Sequence, residues 1–211
     1  QYFDVAAGQF AYERHSDAAV NGIPQVKAKF QTVLANYGYD GAEMPEKEWI
    51  ISEANLPRRS FYGFIGSDEA QRNWMIKAWV ESVKDDIRQL NIFRLSETTN
   101  VWEATDPFQV MGFYSKMEGS TPFNVTKTHE GIALKTTSDL LFGTDLNQQR
   151  TQALNLPANV GGAAFSDANG HFVYVLWAKT ESDFSEVANA TYSFPASLGI
   201  GQLQRMAWDF S

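Results

Sequence analysis

Apolar positions over residues 1–145 alternate between short continuous runs and a helical period. That texture predicts parallel strands joined by crossover helices. Tyr2 to Gln9 reads as a buried strand. Pro24, at a first helical position, predicts a helix carrying Val26, Phe30, Val33, Leu34 and Tyr37 on one face and ending at Gly38. Trp49-Ile50-Ile51 is a second buried strand, closed by Ser52-Glu53-Ala54-Asn55-Leu56-Pro57. Ser67 then caps the strongest helical pattern in the chain, with Asp68 and Glu69 in the first turn, where the helix dipole favours negative charge. Ile76, Trp79, Val80, Val83, Ile87 and Leu90 form its predicted stripe. Asn91 to Leu95 reads as a third strand, ending at Ser96-Glu97. A last helix is predicted from Thr121-Pro122 to Leu141-Phe142-Gly143.

The pattern changes near Asn147. Ala153 to Pro157, Gly161 to Phe165, Phe172 to Trp177, Thr191 to Phe194 and Leu203 to Asp209 read as short strands, with turn clusters such as Asp167-Ala168-Asn169-Gly170 between them. The expected fold class is therefore α/β followed by all-β: an α/β part over 1–145 and an antiparallel β module over 146–211. Both ends lie in strand-like runs, which predicts a piece of a longer polypeptide.

Composition narrows the function classes. The chain has 211 residues, is 44% hydrophobic and carries a net charge of −8. Such a balance argues against a nucleic-acid grip, which needs clustered Lys and Arg. No apolar run is long enough to span a bilayer. With no cysteine there is no disulfide framework and no thiolate metal site. Six Trp, eight Tyr and fifteen Phe suit a large core and also suit stacking on sugar rings, so the count alone does not choose.

Three βα units followed by a β module, with a Glu closing the middle strand, resemble the C-terminal half of a (β/α)8-barrel glycoside hydrolase of the large retaining clan, with its appended β-sandwich. Phe3-Asp4-Val5 with Tyr12 resembles the sixth barrel strand. Trp49 to Asn55 resembles the seventh, and Ile92 to Leu95 the eighth. Asp106-Pro107 to Gly112-Phe113-Tyr114 resembles the turn into the final helix, and Tyr174 to Trp177 a strand of the β module. The likeness implies a partial barrel over 1–145 and a β-sandwich over 146–211. It departs from the clan at the His near the end of the sixth strand, where Gln9 or Tyr12 stands here. Nothing corresponds to the fourth-strand Asn-Glu pair that holds the acid/base.

The implied chemistry is retaining hydrolysis, in which two carboxyl groups lie about 5–5.5 Å apart across the scissile bond. In such a barrel the reactive residues sit at the C-terminal ends of strands. Glu53 has that position and takes the nucleophile's place by resemblance, with Ser52 and Asn55 as neighbouring donors. Its plainer alternative is a strand-end Glu paired with Arg58 or Arg59. Glu97 also ends an apolar strand after a Ser and is the candidate second carboxylate, since adjacent strands lie about 4.8 Å apart. Its alternative is substrate hydrogen bonding or solvation. Tyr12, Phe61, Tyr62 and Trp102 are candidate sugar-stacking rings, with loop anchoring as the alternative for Trp102. Trp49, Trp74, Trp79 and Trp177 read as core.

Other chemistries find little footing. His15, His129 and His171 are far apart, so no metal site is expected. Gly161-Gly162 reads as a turn or bulge, and no cofactor is called for. Asn124-Val125-Thr126 and Asn189-Ala190-Thr191 match the short glycosylation sequon, and Asp167 to Gly170 reads as a hairpin turn rather than a calcium loop. The expected partners are a carbohydrate substrate and the upstream half of the polypeptide, without nucleic acid or a membrane span. The enzyme class implies a secreted, periplasmic or cell-surface protein degrading polysaccharide. A non-catalytic carbohydrate-binding or surface-assembly protein on the same scaffold is the alternative.

Overall fold

A computed structural model describes residues 14–115, 117 and 126–210, and the backbone of residues 2–4. Strands β1 (Tyr2–Asp4), β2 (Glu48–Ala54) and β3 (Ile87–Ile92) form one sheet in that order, all parallel. Helices α1 (Ser16–Ala35) and α2 (Asp68–Lys84) make the two crossovers, and α3 (His129–Leu141) follows β3. All three lie on one face. Ala19, Val20 and Ile23 of α1, Trp74, Met75 and Ala78 of α2 and Ala133 of α3 share a core with Trp49, Ile51 and Ile87. Full burial of residues such as Ile23, Ile51 and Met75 contributes about 1.5–3 kcal/mol each. On the opposite face Gln89 and Asn91 hydrogen-bond to each other in an exposed position, as strand alternation requires once Leu90 and Ile92 point to the helices.

The second sheet contains β4 (Asp145–Leu146), β5 (Val160–Ser166) and β6 (Phe172–Ala178), antiparallel, with α4 (Gln148–Ala153) between β4 and β5. Its Ala163, Phe165, Val173, Val175 and Trp177 pack against Trp79, Val80 and Val83 of α2. Ala164, Tyr174 and Leu176 face Leu154, Phe194 and Leu198 on the other side. Helix α2 is thus buried on two flanks. This corrects its predicted stripe: Ile87 and Leu90 belong to β3, and Trp74, Met75 and Ala78 make the sheet-facing contact.

Several other expectations change. Pro24 lies inside α1, which starts at Ser16. Its first turn is satisfied by His15 Nδ1, which accepts from Ala18 N, and by Glu186, which accepts from Ser16 N at 2.7 Å. The third strand is Ile87–Ile92 rather than 91–95, because Arg94 and Leu95 have turned to bond with Met111 and Tyr114. The last helix begins at His129, capped by Thr128, and residues 121–125 of its predicted start lie outside the described residues. The stretch 153–157 is the end of α4 and a turn, and 191–194 and 203–209 form no strand. In place of the two facing sheets of a sandwich, the described residues after 145 make one three-stranded sheet with α4 and a chain of turns against it. They have too few ladders for a second layer. Gly161 and Gly162 lie within β5 rather than in a turn, and a Cβ at Gly161 would come within 2.4 Å of the Trp177 ring.

The two sheets are tied by polar contacts as well as apolar ones. Asp17 of α1 accepts from Trp177 Nε1 at 3.1 Å and Thr180 N at 2.9 Å, and pairs with the buried Lys77 of α2 at 2.8 Å. Asn73 donates to the same Glu186 that holds the start of α1. No helix among the described residues is long and apolar enough to cross a membrane.

Candidate active site

The C-terminal ends of β2 and β3, with the loops that follow them, gather Glu53, Asn55, Tyr62, Glu97 and Trp102, five of the residues picked out from the sequence as site candidates. Glu53 is exposed near the end of β2, beside a register shift between Ile51 and Ala54. Among the described residues it makes no hydrogen bond or ion pair. Neither Arg58 nor Arg59 pairs with it: each is engaged elsewhere.

Glu97 follows the same sequence pattern and has the opposite environment. It is 4% exposed. Both of its oxygens accept from Arg58 Nη1, at 3.1 and 3.0 Å, while Arg58 Nε donates to Asp68 Oδ1 at 2.5 Å. Burial raises the Glu97 carboxyl above its ordinary value, and the Arg58 charge opposes that shift without cancelling it. The same two carboxylates raise the Arg58 guanidinium further against the cost of its own burial. Gly112 lets the chain pass close behind, since a Cβ there would lie 2.4 Å from Glu97 N. Glu97 is therefore a wall residue in an ion-paired cluster, not the open second carboxylate that its strand-end position predicts.

Asn55 is also corrected from a sugar-binding residue to an interior one. Its Nδ2 lies 2.5 Å from Phe93 O, 2.8 Å from Met111 O and 3.1 Å from Glu130 Oε2, and its Oδ1 accepts from Leu56 N at 2.7 Å. Both hydrogens of this buried amide are claimed by three interior acceptors, so it offers no donor to a ligand. Asn55 instead joins the end of β2 to the end of β3 and to the loop before α3. Glu130 was missed in the sequence, where it falls inside the helix predicted from Thr121-Pro122 and carries no local signal of burial.

The aromatic candidates stay at the surface. Tyr62 sits on a hairpin in which Phe61 and Phe64 pair, and Trp102 lies in the next loop; their relative exposures are 104% and 80%. Arg59 staples the two loops: its Nη1 and Nη2 donate to Trp102 O at 3.2 Å and Ala104 O at 2.6 Å, and its guanidinium lies 4.6 Å from the Phe61 ring centre. The two rings therefore stand on adjacent loops above β2 and β3. Phe108, packed edge-on against Phe64 and Phe93, completes an aromatic rim. Tyr12 lies outside the described residues.

As a sequence, the chain matches no family model and no curated protein. Its fold is similar to a solved structure of a family 39 glycoside hydrolase from the gut symbiont Bacteroides cellulosilyticus WH2. The TM-score is 0.51 at 11% identity, over 70% of this chain and 27% of that one. This chain thus spans about a quarter of that enzyme's length, and the likeness is one of fold.

Proposed function

We propose that this chain carries the last three βα units of a (β/α)8-type glycoside hydrolase, with Glu53 as the nucleophile of a retaining reaction on a polysaccharide or oligosaccharide. The observation that carries this reading is an exposed carboxylate, unpaired among the described residues, at the C-terminal end of the central parallel strand, the end at which such folds place their chemistry. The fold likeness to the family 39 enzyme supports it. So does the single-sided helix layer: a sheet wound with all its helices on one face closes into a barrel, whereas a doubly wound sheet has helices on both. Exposed apolar residues at the two flanks, Val33 and Tyr37 on α1 and just past it and Phe142 after α3, fit neighbours supplied by further βα units. In this reading upstream strands provide the acid/base, because Arg58 occupies Glu97. Tyr62 and Trp102 would be the platforms on which sugar rings stack, and the protein would work outside the cell or at its surface.

The test is Glu53→Gln in the full polypeptide, with reducing ends and binding followed on a panel of polysaccharides. Hydrolysis should fall by more than about 10³-fold, with binding nearly intact. Turnover that survives the substitution removes Glu53 from the mechanism. Binding by the native protein with no release of reducing ends favours the second reading, a carbohydrate-binding protein that uses the exposed Tyr62 and Trp102 without the chemistry.

A further inference from the structure

We infer that Glu130 is a neutral carboxylic acid in the folded protein, and that with Asn55 it forms a buried clamp positioning the strand end that carries Glu53. The state of Glu130 stands on its own geometry; the value of the clamp to catalysis rests on the reading of Glu53 above.

Glu130 is 0% exposed. One oxygen meets Asn55 Nδ2 at 3.1 Å, and the other has no hydrogen-bond partner among the described residues. The Asn55 amide has two hydrogens and three acceptors within reach, with the carbonyls of Phe93 and Met111 the nearer. Glu130 therefore receives at most a shared bond from an uncharged donor. A carboxylate taken out of water on such terms is far more costly than the neutral acid. Its place in the first turn of α3 favours negative charge, but a helix-terminal field recovers only a fraction of that cost. Burial accordingly pushes the Glu130 carboxyl well above the usual range; the Asn55 bond opposes this and the nearby Glu97 charge adds to it.

The surrounding charges are engaged elsewhere. Arg58, from the loop after β2, is taken by Asp68 and Glu97. On α2, which packs along α3, Lys77 is held by Asp17 and Arg72 lies over the ring of Trp208. On α3 itself Lys135 pairs with Asp139, and the His129 ring packs on Trp208 with its Nδ1 unpartnered among the described residues. Glu130 cannot swing out to solvent either. Thr128 Oγ1 bonds to Gly112 O at 2.9 Å and Phe113 O at 3.1 Å, and a Cβ on Gly131 would come within 2.1 Å of Phe113 O. The start of α3 is pressed against the 112–113 backbone. Through Asn55 the acid then bears on Phe93, Met111 and the β2 end two residues past Glu53.

Infrared spectroscopy of the folded protein at pH 7 and 8 tests this, because exposed carboxyls are then ionised and a carbonyl band of a protonated carboxyl marks a buried acid. Such a band is expected in the native protein, is lost in Glu130→Gln, and moves to higher frequency in Asn55→Ala as its donor is removed. No band in the folded native protein at pH 7, or a band unchanged by both substitutions and so belonging to Glu97 or Asp85, overturns the inference. Were both variants to lose the fold, the native protein decides: its band has to vanish at alkaline pH together with a drop in Tm, and loss without that drop counts against the clamp. Where hydrolysis is measurable, Asn55→Ala lowers kcat. A chain with no hydrolysis at all speaks against Glu53 and leaves the infrared result standing.

Discussion

Glu53 and Glu97 occupy matching places in the sequence, each preceded by Ser at the end of an apolar run, and the fold puts them in opposite electrostatic settings. Glu53 is exposed and has no partner among the described residues, whereas Glu97 is buried and gripped by Arg58, which also holds Asp68. The difference comes from the loops. The segment after β2 carries Arg58 to the loops that follow β3, where Arg58 N donates to Val110 O at 3.0 Å, so its guanidinium reaches Glu97 in those loops rather than Glu53 on its own strand. A strand-end carboxylate is thus an open site or a wall residue according to which loop folds across it.

The largest expected effect that sharpens this contrast is on the wall side. Arg58→Met leaves two carboxylates without their shared cation, one of them buried, and should cost about 3–5 kcal/mol of stability by chemical denaturation. A loss below about 1 kcal/mol would mean that the pair is solvated and the contrast with Glu53 is false. Glu97→Gln should cost less, about 1–3 kcal/mol, since Arg58 keeps Asp68.

The pH dependence of that second difference carries a sign. The Glu97 carboxyl is raised in the folded chain, so its contribution is fullest below the unfolded value, near about 4.3, and is lost as pH rises through the raised value. The stability gap between native and Glu97→Gln should therefore shrink from pH 4 toward pH 7. A gap that widens would show the Arg58 attraction outweighing burial. Smallest of all are the open-side effects. Glu53→Gln, Tyr62→Ala and Trp102→Ala should each change stability by no more than about 0.5 kcal/mol, while the two aromatic truncations weaken sugar binding in calorimetry. A Trp102→Ala variant that loses several times that stability would make the ring a loop anchor.

Much of the frame was legible because it rests on local physics. The Ser67 cap with Asp68 and Glu69 marks the start of α2 within one turn, and Ser67 Oγ accepts from Ala70 N at 3.0 Å. Trp49-Ile50-Ile51 announces β2, and the Asp167-Asn169-Gly170 cluster folds as a turn in which Asp167 accepts from Asn169 N and His171 N at 2.9 Å. That half-buried aspartate is lowered to about 2, chiefly by its bond with the His171 ring. What stayed illegible depends on distant partners. The start of α1 is completed by Glu186, 170 positions away, so Pro24 looked like the first turn. Strand-like composition at 191–194 and 203–209 found no ladder to join.

The sequence by itself determined the alternation of strands and helices, the change of texture near residue 145, and the position of Glu53 near the end of β2, while Glu97 falls in the loop after β3. Hydrophobic period, caps and turn residues act over a few neighbours, so they can be read along the chain. Only the tertiary structure decided that Asn55 faces inward, that Arg58 crosses to Glu97, that α2 is buried on two flanks, and that Glu130 lies in the interior. Burial and charge pairing are properties of what packs around a residue, and those neighbours are tens of positions away in the chain.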